Sequence, residues 1–210
     1  GYSRVAFGNG KVVVVYKDAS ASNYGKIIVG AVSGTDISFG GEGSLNNSET
    51  NNLQITYSTG LVFGVFYREY GKASVRVCTL ASNGTNNITI GAETTLNSSG
   101  NTYSAESYNG HSVYYVSVGK HVVTDNTGYF KFGTVSGTSI SFGNTIQFNS
   151  TTGANPAVAY DSSSEKVIIF FRSYATSDRK PTGVVVQAAT EVTNLTTENF
   201  LGFTGGEVTF

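Results

Sequence analysis

The eleven residues Gly30-Ala31-Val32-Ser33-Gly34-Thr35-Asp36-Ile37-Ser38-Phe39-Gly40 return as Gly133-Thr134-Val135-Ser136-Gly137-Thr138-Ser139-Ile140-Ser141-Phe142-Gly143, nine of the eleven positions being identical. The offset is 133 − 30 = 103 residues, two units of 51 to 52, and a weaker copy lies between them. A strand-forming repeat of this length points to stacked or radially arranged β units.

Four units can be laid along the chain, approximately 1–49, 50–100, 101–151 and 152–210. Each opens with a short strand ending in an aromatic: Phe7, Tyr57, Tyr108 and Tyr160, spaced by 50, 51 and 52. Turn residues follow at Asn9-Gly10, Thr59-Gly60, Asn109-Gly110 and Asp161-Ser162; Gly and Asn tolerate the positive φ of hairpin turns. Second strands are expected at Lys11 to Tyr16, Leu61 to Tyr67, His111 to Val118 and Lys166 to Phe171. Third strands are expected at Lys26 to Val32, Ala73 to Leu80, Tyr129 to Val135 and Gly183 to Ala189. Fourth strands run through Ile37-Ser38-Phe39, Ile88-Thr89-Ile90 and Ile140-Ser141-Phe142 and continue past Gly40, Gly91 and Gly143; Asn199 to Phe203 takes that place in the last unit. The pattern predicts one all-β domain over 1–210, a four-bladed β-propeller of four-stranded antiparallel blades, with a β-sandwich or part of a larger propeller as alternatives. Val13, Val15, Ile28, Val62, Phe66, Val113, Tyr115, Val167, Ile169 and Val185 are its expected core.

Composition supports a β fold with a polar, weakly charged surface. Hydrophobic residues make up 39% and charged residues 13%, so Ser, Thr, Asn and Gly must cover the solvent faces. A net charge of −1 gives no reason to expect nucleic acid as a partner. No apolar run approaches the roughly 20 residues that span a bilayer, so no membrane insertion is expected. The chain has no methionine, not even at position 1, which implies an internal fragment or a processed product. Its one cysteine, Cys78, sits in an apolar alternation and reads as a core residue.

The blade text, Tyr16-Lys17-Asp18 followed by Gly30 to Gly40 and again Gly133 to Gly143, resembles repeats in virion appendage proteins of tailed bacteriophages, marine and cyanobacterial ones especially. Leu195 to Phe203 looks like the join those proteins use between propeller repeats and the next fibre module. The resemblance implies a tail-fibre or other host-contact role at the virion surface, outside the cell, and no enzymatic activity.

A basic residue recurs at the end of each expected second strand: Lys17, Arg68, Lys120 and Arg172, spaced by 51, 52 and 52. Rotational symmetry would gather them at one rim, with Tyr24, Tyr70, His121 and Tyr174 in the adjoining loops. Tyrosine beside arginine suits a polar, anionic or sugar-like ligand, because the ring stacks and the guanidinium donates paired hydrogen bonds. The competing reading is a set of solvated strand ends, each cation paired locally with Asp18, Glu69 or Asp125. No metal or cofactor is expected: His111 and His121 lack zinc spacing, and no Ca²⁺-loop pattern occurs. Six N-x-S/T sequons, Asn46, Asn83, Asn87, Asn97, Asn149 and Asn194, fall within chance for so polar a chain. The expected function is a non-enzymatic module that binds a host-surface glycan or protein and joins other virion appendage modules. The alternatives are a spacer or coat subunit that packs against copies of itself and, behind it, an extracellular lectin or glycoside hydrolase.

Overall fold

A computed structural model describes residues 3–58, 60–69, 72–96, 113–117, 120–124, 128–148, 153–161, 163–164, 166–173, 181–187 and 201–202; at 113–117, 120–124, 153–155, 173, 187 and 201–202 the backbone alone is described. Antiparallel strands make up nearly all of this. The helical feature among the described residues is one 3-10 turn, Ala19–Ala21. No helix among them is long and apolar enough to cross a membrane.

Unit one comprises β1 (Ser3–Gly8), β2 (Lys11–Asp18), β3 (Tyr24–Ser33) and the first half of β4 (Asp36–Tyr57). Unit two takes the second half of β4, then β5 (Val62–Glu69), β6 (Lys72–Leu80), β7 (Ile88–Ile90) and β8 (Thr94–Thr95). Unit three has β9 (Val113–Ser117), β10 (Lys120–Thr124), β11 (Tyr129–Ser136), β12 (Ser139–Phe142) and β13 (Ile146–Gln147). Unit four has β14 (Gly153–Asp161), β15 (Lys166–Ser173), β16 (Pro181–Gln187) and β17 (Leu201–Gly202). Within each unit sequential strands pair antiparallel. The Asn9-Gly10 turn takes positive φ at both residues (51° and 70°), as a two-residue hairpin requires.

The first two units share one eight-stranded sheet because β4 never breaks. Its start pairs with β3 and its end with β5, and the handover falls between Glu49, opposite Tyr24, and Thr50, opposite Glu69. The expected boundary near residue 49 is therefore a strand changing partners, with no loop between the units.

Register makes the repeat concrete. Gly30 lies opposite Phe39, Cys78 opposite Ile90, and Gly133 opposite Phe142. Phe7 faces Val12, Tyr57 faces Phe63, and Tyr160 faces Val167, so these three aromatics hold equivalent positions. Both β4 and β14 carry a bulge 103 residues apart, at Asn51/Gln54 and Ala154/Ala157.

Because side chains alternate across a strand, each unit has two faces. The back of unit one (Val13, Val15, Ile27, Val29) packs on the front of unit two (Phe63, Val65, Tyr67, Cys78, Leu80). The back of unit two (Phe66, Ala73, Val75, Val77, Leu96) packs on the front of unit three through Ile140, Tyr129, Val135 and Phe142. The back of unit three (Phe130, Phe132, Phe148) packs on the front of unit four (Val167, Ile169, Phe171, Val184, Val186). The first strands β1, β4, β9 and β14 touch in that order; among the described residues no comparable contact returns from unit four to unit one.

Several expectations change. Val13, Val15, Phe66, Val167 and Ile169 are buried, but Ile28, Val62 and Val185 are only partly so, and it is Ile27 that enters the core. The side chains of Val113 and Tyr115 lie outside the described residues. In unit three the expected second strand, His111 to Val118, is not one: its described part, β9, is the first strand, pairing with β10 across a reversal between Ser117 and Lys120. Tyr115, opposite His121, occupies the position that Phe7 holds in unit one; Tyr108 lies outside the described residues.

Candidate functional site

Lys17, Arg68 and Arg172 share one register position. Each stands on the back of its second strand, two residues beyond Val15, Phe66 and Phe170, opposite Gly25, Ala73 and Pro181 respectively. From this end the chain crosses to the third strand through 5, 2 and 7 residues in units one, two and four, counted between Asp18 and Tyr24, Glu69 and Lys72, and Ser173 and Pro181.

In unit one the strand handover assembles the site. Lys17 Nζ lies 2.9 Å from Glu49 Oε1 and donates to Asn51 Oδ1 at 3.1 Å. Asn51 is the cross-strand neighbour of Arg68, and Glu49 that of Tyr24. Lys17 thus meets Glu49 and Asn51, whose backbone neighbours across the strands are Tyr24 and Arg68. The Lys17 ammonium holds the Glu49 carboxyl below its usual range by hydrogen bonding first and charge second. Arg68 is half-buried and Arg172 exposed.

Lys120 does not join them. It opens β10 opposite Thr134, the position of Lys11 opposite Ala31, at the other end of the unit. His121 follows it in the strand, opposite Gly133, where unit one has Val12. The cause is the displaced reversal in unit three. Tyr70 and Tyr174 lie outside the described residues. The local pairing expected of the cations also differs: Asp18 accepts from Ser20 N and Oγ at 2.9 and 2.7 Å, while Glu69 pairs with Lys72. Asp125 lies outside the described residues.

Beside Lys17 and Arg68 is a polar network that the sequence reading missed. Glu69, 5% exposed, accepts from Asn46 Nδ2 at 2.7 Å and from Ser48 Oγ, and meets Lys72 Nζ at 2.6 Å. Lys72 also reaches Glu93 at 2.6 Å, and Glu93 accepts from the Tyr67 hydroxyl at 3.0 Å. Burial alone would raise the Glu69 pKa; the hydrogen bonds from Lys72, Ser48 and Asn46 outweigh it and hold the carboxyl down at about 2. Asn46 also accepts from Gly25 N at 2.9 Å and from Thr50 Oγ1 at 2.8 Å, so this sequon asparagine is a structural clamp. The available signal was Glu69-x-x-Lys72 across a two-residue connection.

Chemically, a carboxyl held at about 2 is ionised at any ordinary pH and is a weak base, which suits neither half of an acid–base pair. Cys78 is buried and its thiol is pushed up to about 12, chiefly by burial. Among the described residues no group of three or more His, Cys, Asp or Glu side chains gathers in a metal-binding arrangement. No protein-family model and no curated protein matches the chain.

Proposed function

We propose that the four units are radial blades of a β-propeller and that the chain is a non-enzymatic recognition and structural module of a phage-like virion appendage. It works outside the cell, at the virion surface, and takes a host-surface glycan or protein at the strand ends that carry Lys17, Arg68 and Arg172. The observation that carries this reading is the shared register of those three cations, at an end where connections of unequal length leave a regular scaffold. Rigid strands with variable connections are a common platform for recognition.

The contacts rank the residues. Lys17 is engaged by Glu49 and Asn51, so its removal disturbs the handover as well as any ligand. Arg68→Ala and Arg172→Ala probe the same register position in units two and four. A charge-assisted hydrogen bond that is shielded from water contributes about 1.5–3 kcal/mol and an exposed one far less, so Arg68→Ala, at a half-buried position, is expected to weaken binding about tenfold or more and Arg172→Ala, at an exposed one, by less. Glycan-array and host-cell adsorption assays on the purified chain measure this. Unchanged adsorption in both variants would remove the rim from consideration. The second reading, a spacer that packs on copies of itself, is favoured by the exposed Phe7 and Phe39 on the outer face of unit one and Phe170 on that of unit four. Assembly without adsorption would select it.

A further inference from the structure

Among the described residues six large hydrophobic side chains are exposed, and every one belongs to an end face of the stack. Val5, Phe7, Val32, Ile37 and Phe39 lie on the front of unit one, and Phe170 on the back of unit four. Elsewhere in the chain the same positions are covered. Val32, Ile37 and Phe39 correspond to Val135, Ile140 and Phe142 of the repeated segment, which pack on the back of unit two. Ile37 is 47% exposed and its counterpart Ile140 is 6% exposed. In unit two the pair Leu80 and Ile88, opposite one another as Val32 is opposite Ile37, lies in the core shared with unit one.

The other end face follows the same logic. Phe170 is opposite Ala157 and Gly183, as Phe66 is opposite Gln54 and Val75, each just beyond the repeated bulge. Phe66 is 1% exposed, packed in one cluster with Ile140, whereas Phe170 is 56% exposed. One end of this chain therefore presents the unit-three side of an interface whose unit-two side is presented at the other end.

We infer that the front of unit one docks on the back of unit four of a second copy of this chain, repeating head to tail the contact that joins units two and three. The occupant is a second copy because both faces keep exposed aromatics in one molecule, so among the described residues unit four does not cover the front of unit one. The chemistry matches because the covered version of the contact lies 103 residues away along the same chain. At the margin of the front face, Tyr16 donates to Glu42, and Lys26 lies 2.9 Å from the same carboxylate, a polar border beside an apolar centre. A heterologous contact of this kind closes into a ring if the rotation allows and otherwise extends as a filament. It rests on the register equivalences and is independent of host binding.

Light scattering across a wide concentration range is expected to give multiples of the 22.1 kDa chain. Phe39→Asp disables the front face and Phe170→Asp the back face, so each variant alone should be a monomer. Mixed, they should form a 1:1 dimer that does not grow, since one intact face of each kind remains. Circular dichroism checks that both keep the strand spectrum; if either does not, Ile37→Ser and Phe170→Ser take their places. A wild-type monomer at all concentrations, assembly unaffected by either substitution, or failure of two folded variants to pair would each overturn the inference. Host adsorption is measured separately, and its loss or retention leaves these outcomes unaltered.

Discussion

Glu69 shows how one residue can be ordinary in sequence and decisive in structure. Its neighbour Arg68 recurs at the repeat spacing, yet the buried carboxylate is the one that ties the unit-one handover to unit two, through Asn46, Ser48 and Lys72. Side-chain partners of this kind come from residues 21 to 23 positions back and from across a tight connection; repeat spacing along one chain does not encode them. Its pKa falls from the ordinary 4.5 to about 2 on folding, so the folded state favours the ionised form. The stabilisation is then present above the unfolded value and is lost as pH falls from about 4.5 towards 2. Glu69→Gln is expected to lower the melting temperature at neutral pH, with the deficit shrinking steadily through that acidic window. A deficit of the same size at pH 7 and at the acid end would show that the carboxylate charge is not what matters.

Elements were legible where turn chemistry and periodicity agreed. The Asn9-Gly10 hairpin, the third strands and the Gly30 to Gly40 and Gly133 to Gly143 segments fall close to their expected places. Two kinds of ambiguity remained. Ile27 and Ile28 are both apolar, so alternation could not say which one faces the core, and a one-residue choice reverses the face. In unit three the apolar run from Val113 suits a first or a second strand equally, because pairing partners are not written in its period. That shift carried Lys120 and His121 to the wrong end of the unit. Packing accounts for two of the fourth-strand glycines, Gly40 and Gly91, and leaves Gly143 without such a constraint. A Cβ on Gly40 would run into the Asn86 carbonyl, and one on Gly91 into the Thr138 carbonyl, each from the connection that precedes the fourth strand of the next unit. Gly41, one residue on, has nothing within 4 Å. Gly40→Ala is therefore expected to cost about 2 kcal/mol or more by forcing backbone apart. Gly41→Ala should stay within about 0.5 kcal/mol or stabilise slightly. Urea unfolding of the pair checks this, and equal costs would mean that the close approach between units one and two is not as tight as described.

At the scale of the whole molecule, the repeat predicted units and left their closure open. Identical sequence meets different surroundings at its two occurrences, which no reading of the residues alone could separate. Ile37 and Ile140 stand seven residues after Gly30 and Gly133, opposite Val32 and Val135. Strand propensity, turn and neighbours are thus nearly matched, and what differs is that unit two covers Ile140, 6% exposed, while Ile37 is left 47% exposed. Truncating a buried isoleucine to alanine costs about 2–5 kcal/mol, the lost transfer energy adding to the cavity left behind. An exposed strand position loses under about 1 kcal/mol, mainly β propensity. In chemical denaturation at concentrations dilute enough to keep the chain monomeric, Ile140→Ala should be the far more damaging of the two. Raising the concentration should then make Ile37→Ala costly as well, because association buries its face and links stability to concentration. Equal, large costs in the dilute monomer would mean that unit four closes onto unit one within a single chain, and the open stack would have to be given up.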